Sequence, residues 1–353
     1  MINKSDVNYL RDLAKKQLEL SNLDIMRERE RRWYDHNALK GEKPMIVVEL
    51  ASFYESLIPE LKASTPFGRQ LELMMNIVSQ EMIDDDKVVP NTFRLPFEIS
   101  VNEFGFNTSH DYVTDDEGRK LSYEWKPPMK NITEDYDKIK PPVFTYNKEL
   151  TLAKKAAAEE LLGDIMPVEM ENTLMRWHIT PTYKAIDMLG LEQWLFSMSD
   201  EPEMVHKLLQ HIVDVQIEFY NWQSENGLLV MNNGNHYAGA GSYGFSDELK
   251  APADGKITTK SLWANMNSQE SSTISPRMFR KFIYPYYEQL AKQFGLVYYG
   301  CCEATDVFWK DALENLPNLR KLSVSMWANE DRMGEYLTGT NVIYSRKPAP
   351  QFL

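Results

Sequence analysis

With 353 residues, 43% of them hydrophobic and 26% charged, the chain has the balance of an ordinary soluble protein and the length for one large α/β domain. Its net charge of −13 argues against a nucleic-acid partner, because phosphate binding needs a basic surface. No stretch approaches the ~20 apolar residues of a membrane span, Met1 to Asn22 does not read as a signal peptide, and the only cysteines, Cys301 and Cys302, are neighbours that fit a reducing cytoplasm as free thiols.

The first forty residues read as a helical extension: Leu10, Leu13, Ala14 and Leu18 recur at helical spacing, and the mixed charges from Arg27 to Arg32 make a solvated face. Gly41 and Pro44 then punctuate the chain, and Met45 to Leu50 is a short apolar run of the kind that suits a strand buried on both faces. Further strands are expected at 92–98, 167–175, 228–232, 261–266, 296–300, 320–326 and 341–345. Segment 106–150 is polar and proline-bearing, with a hairpin around Asp116-Glu117-Gly118, and reads as an insertion. Asp200 is positioned to cap a helix running through Pro202 and Ile217 to Gly227, and Ser275-Pro276 opens another that Pro285 should kink.

Strands separated by helices imply parallel pairing with right-handed crossovers. Eight of them point to a single (β/α)₈ TIM-type barrel over residues 1–353, carrying the N-terminal extension 1–40 and the insertion 106–150. Only a few residues follow the last strand, so a closing eighth helix is not expected in this sequence.

Gly239-Ala240-Gly241-Ser242-Tyr243-Gly244 satisfies the dinucleotide fingerprint G-x-G-x-x-G. The fingerprint needs a helix at its third glycine to hold a pyrophosphate, and Pro252 leaves no room for one. A mobile loop able to close over a pocket is the better reading.

Tyr299-Gly300-Cys301-Cys302-Glu303 lies where a buried strand runs out, the side of a parallel barrel that carries active sites. Cys301, Cys302 and Glu303 together could ligate zinc, or both cysteines could be small packing residues. Further ligands would come from other strand ends: His236, and Glu270, which could also serve as a general base. Trp177, His178, Tyr237, Trp263, Tyr299 and Trp327 would line the mouth, Asn232, Asn235 and Asn265 would orient a polar group, and Arg346 and Lys347 could receive a carboxylate or phosphate.

Leu189-Gly190-Leu191-Glu192, Asp200-Glu201-Pro202-Glu203, Ile274-Ser275-Pro276-Arg277-Met278-Phe279, Tyr284-Pro285-Tyr286 and Gly300-Cys301-Cys302 resemble, in order and spacing, the uroporphyrinogen decarboxylase-like superfamily. That superfamily of barrels includes the decarboxylase and corrinoid-linked methyltransferases. The resemblance covers about half the chain. The decarboxylase's arginine-rich loop after the first strand is replaced here by Ala51-Ser52-Phe53-Tyr54-Glu55, so the tetrapyrrole carboxylate binders are absent. The methyltransferases hold zinc through a His-x-Cys and a later Cys; the matching positions here read Tyr299-Gly300-Cys301 and Ser345, which keeps Cys301 alone.

The resemblance implies a methyltransferase that moves a methyl group between a small methylated compound and a corrinoid on a separate protein, or a thiol, with zinc as Lewis acid and a homodimer as the assembly. A cofactor-free decarboxylase acting on a carboxylated ring, and a catalytically silent ligand-binding barrel, are the alternatives.

Overall fold

Helices come first along the chain, as the spacing of Leu10 and Ala14 predicts. The computed structural model describes residues 2–49, 61–74, 83–106, 109–115, 120–172 and 179–349. Val7–Ser21 and Asp24–Asn37 are α-helices. On the buried face of the first, Gln17 donates to the carbonyls of Pro90 and Thr92, which pins the helix to the chain entering strand β1 (Phe93–Pro96). β1 pairs in parallel with β2 (Val168–Glu171). The helix Lys148–Leu162 starts at Asn147, whose side chain accepts the Leu150 amide at 2.9 Å. Its Ala158, Leu161 and Leu162 close a core with Leu10, Ala14, Phe67, Leu71, Phe93 and Leu95.

Two expected strands are corrected. The described part of the 45–50 run is not in a sheet: the Ile46 amide donates to Asp86 Oδ2 at 2.7 Å, and the Val48 amide to Asp85 Oδ2 at 2.9 Å. Aspartate side chains have taken the place of a neighbouring strand, so apolar content alone did not make a ladder. Residues 228–232 are likewise outside any sheet, and the Leu228 carbonyl accepts from Asn172 Nδ2 at 2.8 Å. The glycine motif forms a small antiparallel ribbon, Tyr237–Gly239 with Ser242–Tyr243, turned at Gly241 with φ 66°. The Gly241 amide donates to Glu49 Oε1 at 2.8 Å, and no helix opens at Gly244.

These elements belong to one compact unit, comprising Met1–Ile99, Tyr146–Leu174 and Leu228–Pro252. Ser100–Thr145, Met175–Gly227 and Ala253–Leu353 make a second.

The second unit is built on a four-stranded parallel sheet in the order β6-β5-β4-β3, from β3 (Trp263–Met266), β4 (Leu296–Tyr299), β5 (Leu319–Val324) and β6 (Ile343–Arg346). Ile179 adds an isolated parallel bridge to Met266. Registers set Tyr298 opposite both Asn265 and Lys321, and Ser323 opposite Ser345. Because side chains alternate along a strand, one face carries Asn265, Tyr298, Lys321, Ser323 and Ser345, and the other carries Val297, Tyr299, Leu322 and Val324. Tyr299 meets Tyr287 of the helix Tyr284–Ala291 edge-on, with ring centroids 5.9 Å apart, so the second face is the one packed by helices.

Pro285 sits in the first turn of that helix, and a π segment, Phe279–Ile283, precedes it. The missing proline N–H is absorbed by a widened turn. Glu201 occupies the position before the long helix Pro202–Glu225 without a side-chain capping bond, and the expected cap, Asp200, instead ends the helix Leu191–Asp200. Within 106–150, Ser109–Thr114 and Lys120–Lys126 pair antiparallel; the expected turn at 116–118 lies outside the described residues.

Six of the eight expected strands are therefore present. Among the described residues they form parallel sheets of two and four strands in a mixed α/β architecture. No helix among the described residues is long and apolar enough to cross a membrane.

Candidate functional site

Parallel strands deliver all their carboxyl ends to one edge, and the loops leaving β3, β4, β5 and β6 meet there. The turn out of β4 depends on Gly300, held at φ +98° with its amide donating to the Met266 carbonyl at 2.7 Å. A Cβ at this position would lie 2.9 Å from Ser323 Cβ, so only glycine fits. Cys301 follows at once, half-buried, and Cys302 is exposed.

Glu303 holds this edge together. It is 0% exposed, and its two carboxylate oxygens accept the amides of Ser268 (2.9 Å) and Cys301 (2.8 Å), joining the loops after β3 and β4. Its carbonyl accepts from Ser325 Oγ at 3.0 Å, which adds the loop after β5. Burial pushes the Glu303 pKa up, with the amide hydrogen bonds opposing.

Burial also pushes the Cys301 thiol up to about 12, aided by Cys302 and opposed by Lys347. Cys301 therefore rests as a neutral thiol. Lys347, half-buried just past β6, donates to Tyr298 Oη at 2.6 Å and Ser323 Oγ at 2.7 Å. Ser323 Oγ in turn donates to the Cys301 carbonyl at 2.8 Å, and Tyr298 Oη lies 3.0 Å from Ser345 Oγ.

Glu270 ends a second polar chain at the same edge. Its Oε2 is 3.0 Å from Thr182 Oγ1, which is 2.9 Å from Tyr287 Oη, which donates to the Asn267 carbonyl at 2.6 Å. Thr182 donates to the Glu270 carboxyl group, and burial raises the Glu270 pKa while that hydrogen bond opposes the shift.

The remaining expected site residues are distributed as follows. Trp263 and Asn265 are buried in the sheet, and Tyr299 is buried against Tyr287. Trp327 is 69% exposed, and Arg346 is paired with Glu330 at 3.0 Å. Asn232, Asn235, His236 and Tyr237 belong to the first unit, where Asn235 donates to the Val88 carbonyl at 2.7 Å and the His236 carbonyl accepts the Gly244 amide at 2.8 Å. Trp177 and His178 lie outside the described residues. Sequence reasoning missed Thr182, Tyr287 and the linking role of Glu303; only the polar alternation through Tyr298, Ser323 and Ser345 was there to be read.

The fit of a zinc ion to this edge can be tested on its donors. Cys301 and Cys302 Sγ are 3.7 Å apart, a separation two thiolates on one zinc can adopt. Both Glu303 oxygens are engaged by amides, and Cys301 resists ionisation. Among the described residues no group of three or more His, Cys, Asp or Glu side chains is arranged to hold a metal ion. Among the described residues the two sulfurs have no third side-chain donor beside them, and no step below uses zinc.

No family model matches the chain, and no curated protein does. Among solved structures it is similar to a methyltransferase from Methanosarcina mazei, at 14% identity and a TM-score of 0.47, over 91% of this chain and 83% of that one.

Proposed function

We propose that the chain is a methyltransferase with its reacting groups at the carboxyl edge of the four-stranded sheet. The methyl group moves between a small methylated compound and a corrinoid on a separate protein, or a thiol. One observation carries the reading: Glu303 fixes Cys301 and the loop bearing Glu270 to each other, so a thiol and a buried carboxyl group of raised pKa share one edge. The resemblance of Gly300-Cys301-Cys302 and its flanking motifs to the uroporphyrinogen decarboxylase-like superfamily supports the choice of methyl transfer.

Methyl transfer is an in-line displacement, helped by alignment of the reactants and by neutralising the departing heteroatom. Glu270, whose pKa burial raises, acts in its protonated form and gives its proton to that heteroatom as its bond to the methyl group breaks. The Thr182–Tyr287–Asn267 chain holds the acid in place until then. Cys301 lies beside the reacting group and orients it.

The test is methyl transfer from simple methylated amines, thiols and phenols to a reduced corrinoid, followed by the absorbance of methylcobalamin. Loss of a general acid costs typically 10²–10⁴-fold, so Glu270→Gln should fall by at least about 100-fold, and Cys301→Ala should also fall. Equal rates in wild type and both variants, or no transfer to any acceptor, would remove the reading. Elemental analysis of the same preparations checks the donor argument: near-stoichiometric zinc, lost in Cys301→Ala, would overturn it.

A second reading, metal-free decarboxylation of a carboxylated ring, is favoured by Lys347, which is held by hydroxyls rather than by a carboxylate. Carbon dioxide release without a corrinoid would select it.

A further inference from the structure

Cys301 and Cys302 are the only cysteines of the chain, and the fold brings their sulfurs to 3.7 Å. Adjacency in sequence does not do this, because successive side chains of an extended chain point to opposite faces. Here the chain bends over residues 301–303, directly after the turn at Gly300, and the two sulfurs touch.

The two residues are held differently. The Cys301 amide donates to Glu303 Oε2 at 2.8 Å, and its carbonyl accepts from Ser323 Oγ at 2.8 Å. Among the described residues no hydrogen bond holds the Cys302 backbone, and Cys302 is exposed where Cys301 is half-buried. No third His, Cys, Asp or Glu among the described residues joins the pair to hold a metal ion. One sulfur is sheltered and fixed, the other is accessible and able to move, and each has the other as its nearest reaction partner.

We infer that Cys301 and Cys302 form a reversible oxidation site for hydroperoxides, in which the exposed Cys302 meets the oxidant and Cys301 closes a disulfide onto it. The Cys302 sulfur forms an S–O bond with one peroxide oxygen. The O–O bond breaks, and the departing oxygen takes up the Cys302 thiol proton and leaves as alcohol or water. The Cys301 sulfur then displaces hydroxide from this sulfenic acid, and the Cys301 proton leaves with the hydroxide as water. Two thiols are oxidised and one O–O bond is reduced, a two-electron exchange that needs no other reactant.

Closure requires the sulfurs to approach to about 2.0 Å. The bridge closes a small ring containing the 301–302 peptide, whose carbonyl Ser323 holds, so it is strained, and strained disulfides are readily reduced. On the methyl-transfer reading, the ring also withdraws the Cys301 thiol from the reacting group until it is reduced. The oxidation site itself does not rest on that reading.

The test is oxidation of the reduced full-length chain with hydrogen peroxide at low protein concentration. Remaining thiols are then blocked, and the tryptic peptide Gln293–Lys310, which carries both cysteines, is followed by mass spectrometry. The peptide should lose two hydrogen atoms as both thiols disappear together, and reduced glutathione should restore both. Dimedone present during oxidation should label Cys302, several-fold more in Cys301→Ser, where no thiol resolves the sulfenic acid. The same oxidation in urea, where Glu303 and Ser323 no longer hold the loop, should give less of the ring. Sulfinic or sulfonic acid as the main product, a disulfide between two chains, or dimedone on Cys301 in the wild type overturns the proposal. So does a ring that excess glutathione cannot reopen, or an equal yield of it in urea. None of these readouts depends on methyl transfer, so a chain that fails the corrinoid assay but closes the ring loses the methyltransferase reading and keeps the oxidation site.

Discussion

Replacing Glu303 by alanine removes the acceptor for two buried amides at once, those of Ser268 and Cys301. A buried donor left without a partner costs about 1–3 kcal/mol, so the pair costs about 2–6 kcal/mol. Part of this is recovered because a buried carboxylate no longer has to be desolvated, which leaves an expected loss of about 2–4 kcal/mol. Glu303→Gln keeps one acceptor and turns an NH₂ toward the other amide, so it should lose about 1–3 kcal/mol.

The two variants also differ from wild type in their response to pH. Burial raises the folded pKa of Glu303, so its contribution is fully present below the ordinary carboxylate range and is lost as pH rises through the folded value. Glutamine has no such loss, and the gap between wild type and Glu303→Gln should narrow as pH rises. Urea unfolding of all three proteins, followed by tryptophan fluorescence across that pH range, measures both effects. If Glu303→Ala costs less than about 1 kcal/mol, or the gap widens with pH, Glu303 is not the tie between the loops.

Two further outcomes follow from the same edge. Gly300→Ala, with φ +98° and a Cβ 2.9 Å from Ser323 Cβ, should lose about 1–3 kcal/mol and change the alkylation rate of Cys301; an unchanged rate would show that the turn does not position the thiol. Glu270 should show the infrared carbonyl band of a protonated carboxyl above the ordinary glutamate pKa, absent from Glu270→Gln, and its raised pKa makes its contribution to stability fall as pH rises through the folded value. A carboxylate band from the ordinary glutamate pKa upward would remove Glu270 as the acid.

The first two strands of the four-stranded sheet, Trp263–Met266 and Leu296–Tyr299, were legible in the sequence because each is a short run, mostly apolar and bounded by turn residues, of the kind that suits a buried parallel strand. Leu296–Tyr299 and its exit at Gly300 could be placed from the chain alone, and with them the position of Cys301 at a strand end. The runs at 45–50 and 228–232 look the same by composition, yet their backbone groups are met by Asp85, Asp86 and Asn172 side chains, a choice made by partners distant in the chain. Glu303 reads as a third ligand beside two cysteines; only folding brings the Ser268 amide, 35 residues away, onto its carboxylate. The link from Glu270 through Thr182 and Tyr287 to Asn267 lies further still from the sequence, since its members come from distant segments. Local pattern marks which segments can be buried, but the exposed Ile46 and Val48 of the 45–50 run show that composition alone does not bury them. Which polar atoms meet inside is decided by long-range packing, where one register or one side-chain partner changes the chemistry of the site.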